Sequence, residues 1–207
     1  ISLGVAVLII VMSVMNGFRT ELINKIVGFN PHITVKSYEN KYINPSIVNS
    51  PELNSISKHL ISSNTSEAII INNNNSKGII LRGYKSKDFS KLSIINNKNF
   101  VGHEKDLNNN NISIGKELSF ILDVKIGDNI SLMSSSGIDT IIGSLPKQKV
   151  FKVVSLFESG LVDFDSNVVF MNLDTLEEFS NLKNSDRNLE IYLKNPQNIE
   201  KQKEIVQ

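Results

Sequence analysis

Asp163 and Asp165 flank Phe164. On a strand, two carboxylates so spaced share one face, where a pair of acids can do acid–base work. The surrounding stretch from Glu158 to Asp165 has the composition of a loop, and loops are rich in Asp, so the pair reads as a solvated turn. The three histidines, His32, His59 and His103, fall in different segments. No HExxH, CxxC or His-x-His spacing occurs, so no metal ligands are expected. The glycines form neither GxGxxG nor GxxxxGKS, which argues against a phosphate cradle. Ser134-Ser135-Ser136-Gly137 lacks the GxSxG frame of a nucleophile elbow. There is no Cys, hence no disulfide, thiol nucleophile or Cys-ligated zinc. We expect no catalytic residue and no cofactor; this chain is not read as an enzyme.

The segment with most to say is Ser134 to Lys149. It is long for a hairpin loop. It opens polar, then runs Ile141-Ile142-Gly143-Ser144-Leu145-Pro146 and closes on Lys147-Gln148-Lys149. Apolar residues on a projecting loop cost solubility unless a partner covers them. Two readings stand: Ile141 and Ile142 meet a partner, or they fold back on their own lobe.

The chain has 207 residues, enough for one medium domain or two small ones with a real core. It is 40% hydrophobic and 21% charged, which excludes wholesale disorder. The net charge is +1 with no clustered basic face, so nucleic acid is not an expected partner. Asn occurs 27 times, and Lys outnumbers Arg 19 to 3. Both biases run along the whole chain and read as compositional drift. Asn72 to Asn75 and Asn108 to Asn111 are therefore taken as loop filler.

From Ile1 to Phe18 no residue is charged and 13 of 18 are apolar. A bilayer core needs roughly 20 such residues as a helix, so this run reads as a transmembrane helix. Its start at Ile inside the apolar run, and the helical pattern cut short at Gln207, suggest a fragment of a longer membrane protein. Leu22, Ile23, Ile26 and Val27 recur at helical spacing, extending the helix as a stalk until Gly28 and Pro31 stop it.

His32 to Lys36 alternates as a strand. Pro51 to Ser62 reads as a helix with Leu53, Ile56 and Leu60 as its buried stripe. Glu67 to Ile71 and Lys77 to Tyr84 read as a hairpin around the Asn run. The β-α-β-β order implies an α+β domain. Asn96 to Asn111 is polar and marks a subdomain boundary. A helix is expected from Ile114 through Leu122, then strands at Asn129 to Met133, Val150 to Phe157, Asn167 to Met171 and Leu189 to Leu193. A short helix at Thr175 to Phe179 is expected to be capped by Asp174.

These features in this order resemble the permease subunits of lipoprotein-releasing ABC transporters (LolC/LolE type), within a wider MacB-like group. The residues that carry the resemblance are Ile1-Ser2-Leu3-Gly4-Val5-Ala6-Val7 with Val14-Met15-Asn16-Gly17-Phe18-Arg19, then Asn30-Pro31-His32-Ile33. Gly115-Lys116-Glu117-Leu118, Lys125-Ile126-Gly127-Asp128, Phe151-Lys152-Val153-Val154 and the run Ser159 to Ser166 complete it.

The resemblance implies a bacterial inner-membrane protein whose periplasmic MacB-like domain follows its first membrane helix. That domain would be a βαβ-type base split by a β-rich insertion. The expected division is 1–27 membrane helix and stalk, 28–95 base, 96–187 insertion with a hook loop at 134–149, and 188–207 the start of the return to the base. The implied partners are a cytoplasmic ABC ATPase, a second permease subunit (paralogue or identical copy), a periplasmic lipoprotein carrier and the lipoprotein substrates. Ile141, Ile142, Gly143, Leu145 and Pro146 look like the tip of a carrier-binding hook. Gln148 and Lys149 sit where the family has a Gln-Arg pair on the adjoining pad, and Lys lacks the planar fork of Arg. Ser131 stands where another basic pad residue is expected. Val7, Ile10 and Val14 are candidate lipoprotein contacts on the membrane helix. The alternatives are a MacB-like efflux or mechanotransmission subunit, or a non-transporting FtsX-like or sensor module.

Overall fold

The computed structural model describes residues 2–36, 47, 50–73, 75–96, 98–103, 107–108, 110–140, 143–196 and 199. Helix α1 runs unbroken over Ser2–Phe29, about 42 Å at 1.5 Å per residue. Its stretch Leu3–Glu21 is long and apolar enough to cross a membrane, and none of it is buried against the rest of the chain. The helix passes through Gly28 and ends at Phe29, two residues beyond the expected stalk end at residue 27. The stripe at Leu22, Ile23, Ile26 and Val27 lies outside the described side chains. Phe29 is buried and its ring sits 4.6 Å from that of Phe164, which fixes the helix end to the domain.

The remaining elements in chain order are β1 (Ile33–Val35), α2 (Pro51–Ile56), β2 (Ser57–Asn72), β3 (Asn75–Tyr84), α3 (Ser86–Phe89), β4 (Val101–Gly102) and β5 (Asn111–Gly115). Then come α4 (Lys116–Leu122), β6 (Asn129–Thr140), β7 (Gly143–Phe157), α5 (Val162–Asn167), β8 (Val168–Asn172), α6 (Leu173–Ser180) and β9 (Asn188–Leu193). The architecture is α+β, as expected.

Six strands close on themselves. β2 pairs β3, β3 pairs β8 in parallel, β8 pairs β5, β5 pairs β7 in parallel, β7 pairs β6, and β6 returns to β2. Closure removes the open edges of these strands where they form the ring, as in other small barrels. Each gives the interior two residues at the strand period: Ala68 and Ile70, Ile79 and Leu81, Ile112 and Ile114, Ile130 and Leu132, Phe151 and Val153, Val169 and Met171. Leu118 and Leu122 of α4 and Leu176 and Phe179 of α6 pack into the same core. Each such side chain contributes roughly 1.5–3 kcal/mol relative to exposure. A second core lies around Tyr84, Phe89, Phe157 and Phe170. A third lies where β9 comes back between β1 and β2 over Leu53 of α2.

Several local expectations are corrected. The helix expected over Pro51 to Ser62 stops at Ile56, because Ser57 to Ser63 pair with β9 and long-range pairing overrides a helix-like pattern. Ile114 and Gly115 belong to β5, so α4 starts at Lys116. The loop expected at Glu158 to Asp165 contains the start of α5. Asn172, not Asp174, caps α6: its Oδ1 accepts from the Asp174 and Thr175 amides. Nor is the Asn run filler throughout. Asn73 adopts φ 49°, the left-handed turn conformation Asn tolerates. Asn72 Nδ2 donates to the Leu122 carbonyl at 2.8 Å, satisfying the end of α4.

Candidate functional site

The stretch read as a polar loop is the outer part of one long hairpin, β6 and β7. Its inner part is in regular register from Asn129↔Lys152 to Met133↔Gln148. There Ser134, Ser135 and Ser136 face Lys147 alone, and pairing resumes at Gly137↔Pro146 and runs to Thr140↔Gly143. Extra residues on one strand bend a hairpin and increase its twist. Beyond the bulge neither strand pairs with a further strand among the described residues, since β2 stops pairing β6 at Ser134 and β5 meets β7 only from Lys152. Residues 137–140 and 143–146 therefore form a two-stranded arm standing off the barrel.

The arm is held at its root. Ser136 N donates to Ser134 Oγ at 3.1 Å, and Ser135 Oγ donates to the Glu67 carbonyl at 3.0 Å. Lys147 Nζ donates to the Glu178 carbonyl at 2.8 Å, in the last turn of α6, where a cation also meets the negative end of the helix dipole. Lys147 thus serves the root rather than the arm's surface.

Of the residues read as a hook tip, Gly143, Leu145 and Pro146 are exposed, and Leu145 shows 53% of its surface. Ile141 and Ile142 lie outside the described residues. Gly143 takes φ 124°, which L side chains rarely adopt. Gln148 and Lys149 point to opposite faces of β7, as adjacent strand residues must. Gln148 Nε2 donates to Ser131 Oγ at 2.8 Å on the barrel's outer face. Lys149 Nζ lies 5.5 Å from the Phe151 ring centre, on the face that turns inward further along the strand. Val7, Ile10 and Val14 are all exposed on α1.

Asp163 and Asp165 do not form an acid pair. Asp163 is exposed, whereas Asp165 is buried and accepts from the amides of Ser159 and Gly160 at 2.9–3.3 Å. His32 Nδ1 accepts from the Leu193 amide, His59 lies on β2 and His103 follows β4. No group of three or more metal-ligating side chains occurs among the described residues.

Sequence reasoning missed two ion pairs in which a part-buried Arg meets a buried Glu. Arg82 bonds Glu190, and Arg187 bonds Glu177 through Nε and one terminal nitrogen at 2.6 and 2.7 Å. A signal was available: in a chain that uses Lys almost everywhere, two of the three Arg stand at positions that use a guanidinium.

The family model for the MacB-like periplasmic core domain matches residues 1–207. The lipoprotein-releasing system transmembrane protein LolC of Xylella fastidiosa is 27% identical over 185 residues, 86% of this chain and 44% of that protein. The corresponding LolE of Haemophilus influenzae is 31% identical over 147 residues, 65% of this chain and 34% of that protein. The chain thus spans less than half the length of either. The periplasmic region of MacB from Actinobacillus actinomycetemcomitans has the same fold at 13% identity, with a TM-score of 0.50 over 90% of this chain and 87% of that one. With its full length matched, the chain belongs to the MacB-like periplasmic core domain family.

Proposed function

We propose that the chain is the first membrane helix and periplasmic domain of a permease subunit in an ABC transporter. That transporter extracts lipoproteins from the bacterial inner membrane and passes them to a periplasmic carrier. ATP is hydrolysed on a separate cytoplasmic subunit, and a second permease, paralogue or copy, stands beside this one. The names of the LolC and LolE relatives support the transporter class. The observation that supports the carrier-docking role is the arm of 137–140 and 143–146, which stands clear of the barrel and exposes Leu145. An exposed apolar arm with a fixed root suits a partner that closes over it.

In this reading residues 1–27 are the membrane helix and stalk. Residues 28–95 and 188–207 form the base, and 96–187 form the insertion that bears the arm. The stalk moves with the ATPase cycle, and the Phe29–Phe164 contact passes that motion to the domain. Val7, Ile10 and Val14 border the lipid-anchored substrate, and the hook tip with Gln148 and Lys149 engages the carrier.

The test places a photo-crosslinking residue at Leu145 of the full-length protein in membranes, with exposed Glu52 of α2 as control. An adduct with the soluble carrier at Leu145 alone supports the reading. No adduct, with the protein folded and the carrier present, overturns it in favour of an efflux-type subunit or a permease without a hook.

A further inference from the structure

Outward-facing residues of β3 are Gly78, Ile80 and Arg82, spanning about 13 Å at the strand rise. Three depressions meet along them, of about 480, 460 and 510 Å³, and Ile80 lines all three. The first and second also share Asn167, and the second and third share Phe164 and Val168, so they form one groove. One end reaches Asn30 and Pro31, the residues that follow α1. The other reaches Met133, Ser134 and Ser135, at the root of the arm. The groove joins the exit of the membrane helix to the arm.

Its floor is apolar and open. Ile69 and Ile80 are 44% and 41% exposed, and Val162 on the opposite wall is 65% exposed. The absent side chain of Gly78 deepens it, since a Cβ there would meet nothing within 4 Å. The charge of Arg82 is turned to Glu190. An extended peptide is a poor occupant, because β3 is hydrogen-bonded to β2 and β8 on its two sides and offers no free edge. Among the described residues the buried polar side-chain atoms without partners are Ser113, Ser155 and Ser180, none of which lines the groove. Polar side chains stand at its two ends, Thr34, Lys36 and Asn188 at one and Glu67, Ser134 and Ser135 at the other, while its middle at Ile80, Leu161, Val162 and Phe164 offers an alkyl chain the apolar contact it needs.

We infer that this groove carries the acyl chains of the lipid-anchored substrate from the stalk to the arm. The inference rests on the transporter reading above and adds a route to it.

The experiment uses full-length protein in membranes of cells fed an alkyne-tagged fatty acid, with a photo-crosslinking residue at Ile80 or Ile69. Exposed Phe120 of α4 is the control. The expected result is a tagged protein adduct at Ile80 and Ile69 and none at Phe120. The variant Gly78→Phe fills the groove where a side chain has room, and should abolish the tagged adduct while the Leu145–carrier adduct persists. No tagged adduct at Ile80 where Leu145 still captures the carrier overturns the groove and leaves the transporter reading intact. An adduct with a second permease subunit makes the groove a subunit interface and likewise overturns the inference. Loss of the Leu145 adduct in otherwise unmodified protein overturns the transporter reading, and the inference with it.

Discussion

Arg82 holds a terminal guanidinium nitrogen 3.1 Å from Glu190, and the two side chains are only 13% and 4% exposed. Glu190 also accepts from the hydroxyls of Ser63, Tyr84 and Tyr192 at 2.7–3.0 Å, so its carboxylate is surrounded by donors from β2, β3 and β9. A second nitrogen of Arg82 reaches Asn30 Oδ1 at 3.4 Å, beside the end of α1. Burial alone would lower the Arg82 pKa, but Tyr84 and Glu190 raise it above its ordinary value. The cluster ties the helix exit to β2, β3 and β9. Removing one partner of a buried pair leaves an uncompensated charge, so Glu190→Gln should cost about 3–5 kcal/mol. Arg82→Lys keeps the charge but loses the fork, and should cost roughly 1–3 kcal/mol. Thermal melts of the detergent-solubilised protein check the order: both variants melt below the wild type, with Glu190→Gln the lower.

The same cluster sets a pH limit. Burial, with the facing Glu190 carboxylate, raises the pKa of both Tyr84 and Tyr192 above the ordinary 10. A raised acid binds its proton more tightly folded than unfolded, so this stability is fully present below pH 10 and lost above it. His59 has the opposite sense. Burial, then Lys58 and Lys91, lower it from 6.5, so its contribution is intact above pH 6.5 and falls as protonation is forced below. Melting midpoints should decline at both ends. Tyr192→Phe should flatten the alkaline limb and His59→Gln the acid limb; unchanged limbs would sink the assignment.

Gly115 has no room for a side chain. A Cβ there would collide with the backbone of Asp165, whose carboxylate holds the Ser159–Gly160 turn. Gly115→Ala must push α5 from β5, and overpacking of this kind costs about 1–3 kcal/mol. Because Phe164 on α5 carries the contact with Phe29, the shift should also loosen the stalk. Limited proteolysis near residue 30 should therefore accelerate in Gly115→Ala, and far less in Gly78→Ala, where a Cβ meets nothing.

These residues show what the sequence exposes and what it hides. Ile112 and Ile114, or Phe151 and Val153, alternate over a few residues, so their strands are legible. Ring closure depends on Ile70 reaching Leu132 across the chain, and no local pattern encodes it. Leu53, Ile56 and Leu60 fit a helix as well as they fit a helix end followed by a strand, and β9 decides between them. The Gly115 and Asp165 motifs were visible, but their reason is a contact between distant segments. The arm was legible as an unusual apolar segment. Its bulge follows from the register at Met133, and the separation of Gln148 and Lys149 onto two faces from their lying in a strand rather than a loop.

In the proposed docking of a carrier, that separation divides the roles of the arm's neighbours. Leu145 is an exposed apolar anchor, and truncating such a centre typically costs 2 kcal/mol or more, about thirtyfold in affinity. Lys149 is spent partly on the Phe151 ring, and a rim charge is worth less than about 1 kcal/mol. Titration of purified carrier against the detergent-solubilised transporter should show a large loss for Leu145→Ser. Lys149→Ala should show a small, salt-dependent one. Equal losses would mean that charge, not the apolar tip, holds the carrier.

Lys147 should act without touching the carrier at all. Its ammonium is committed to the Glu178 carbonyl, and the bulge beside it leaves the arm without lateral pairing. Removing that tie frees the arm to swing about Ser134–Ser136 while the barrel stays closed. Spin labels at Leu145 and at exposed Asn184, just beyond α6, read this directly. The wild-type distance distribution should be narrow, Lys147→Met should broaden it, and Lys147→Arg should restore it by offering the same carbonyl a charged donor. The melting point of Lys147→Met should hardly move, since an exposed hydrogen bond of this kind contributes only about 1 kcal/mol. A broadened arm with an unchanged melt separates a positioning role from a structural one; an unchanged distribution would show that the serine bulge alone sets the angle of the arm.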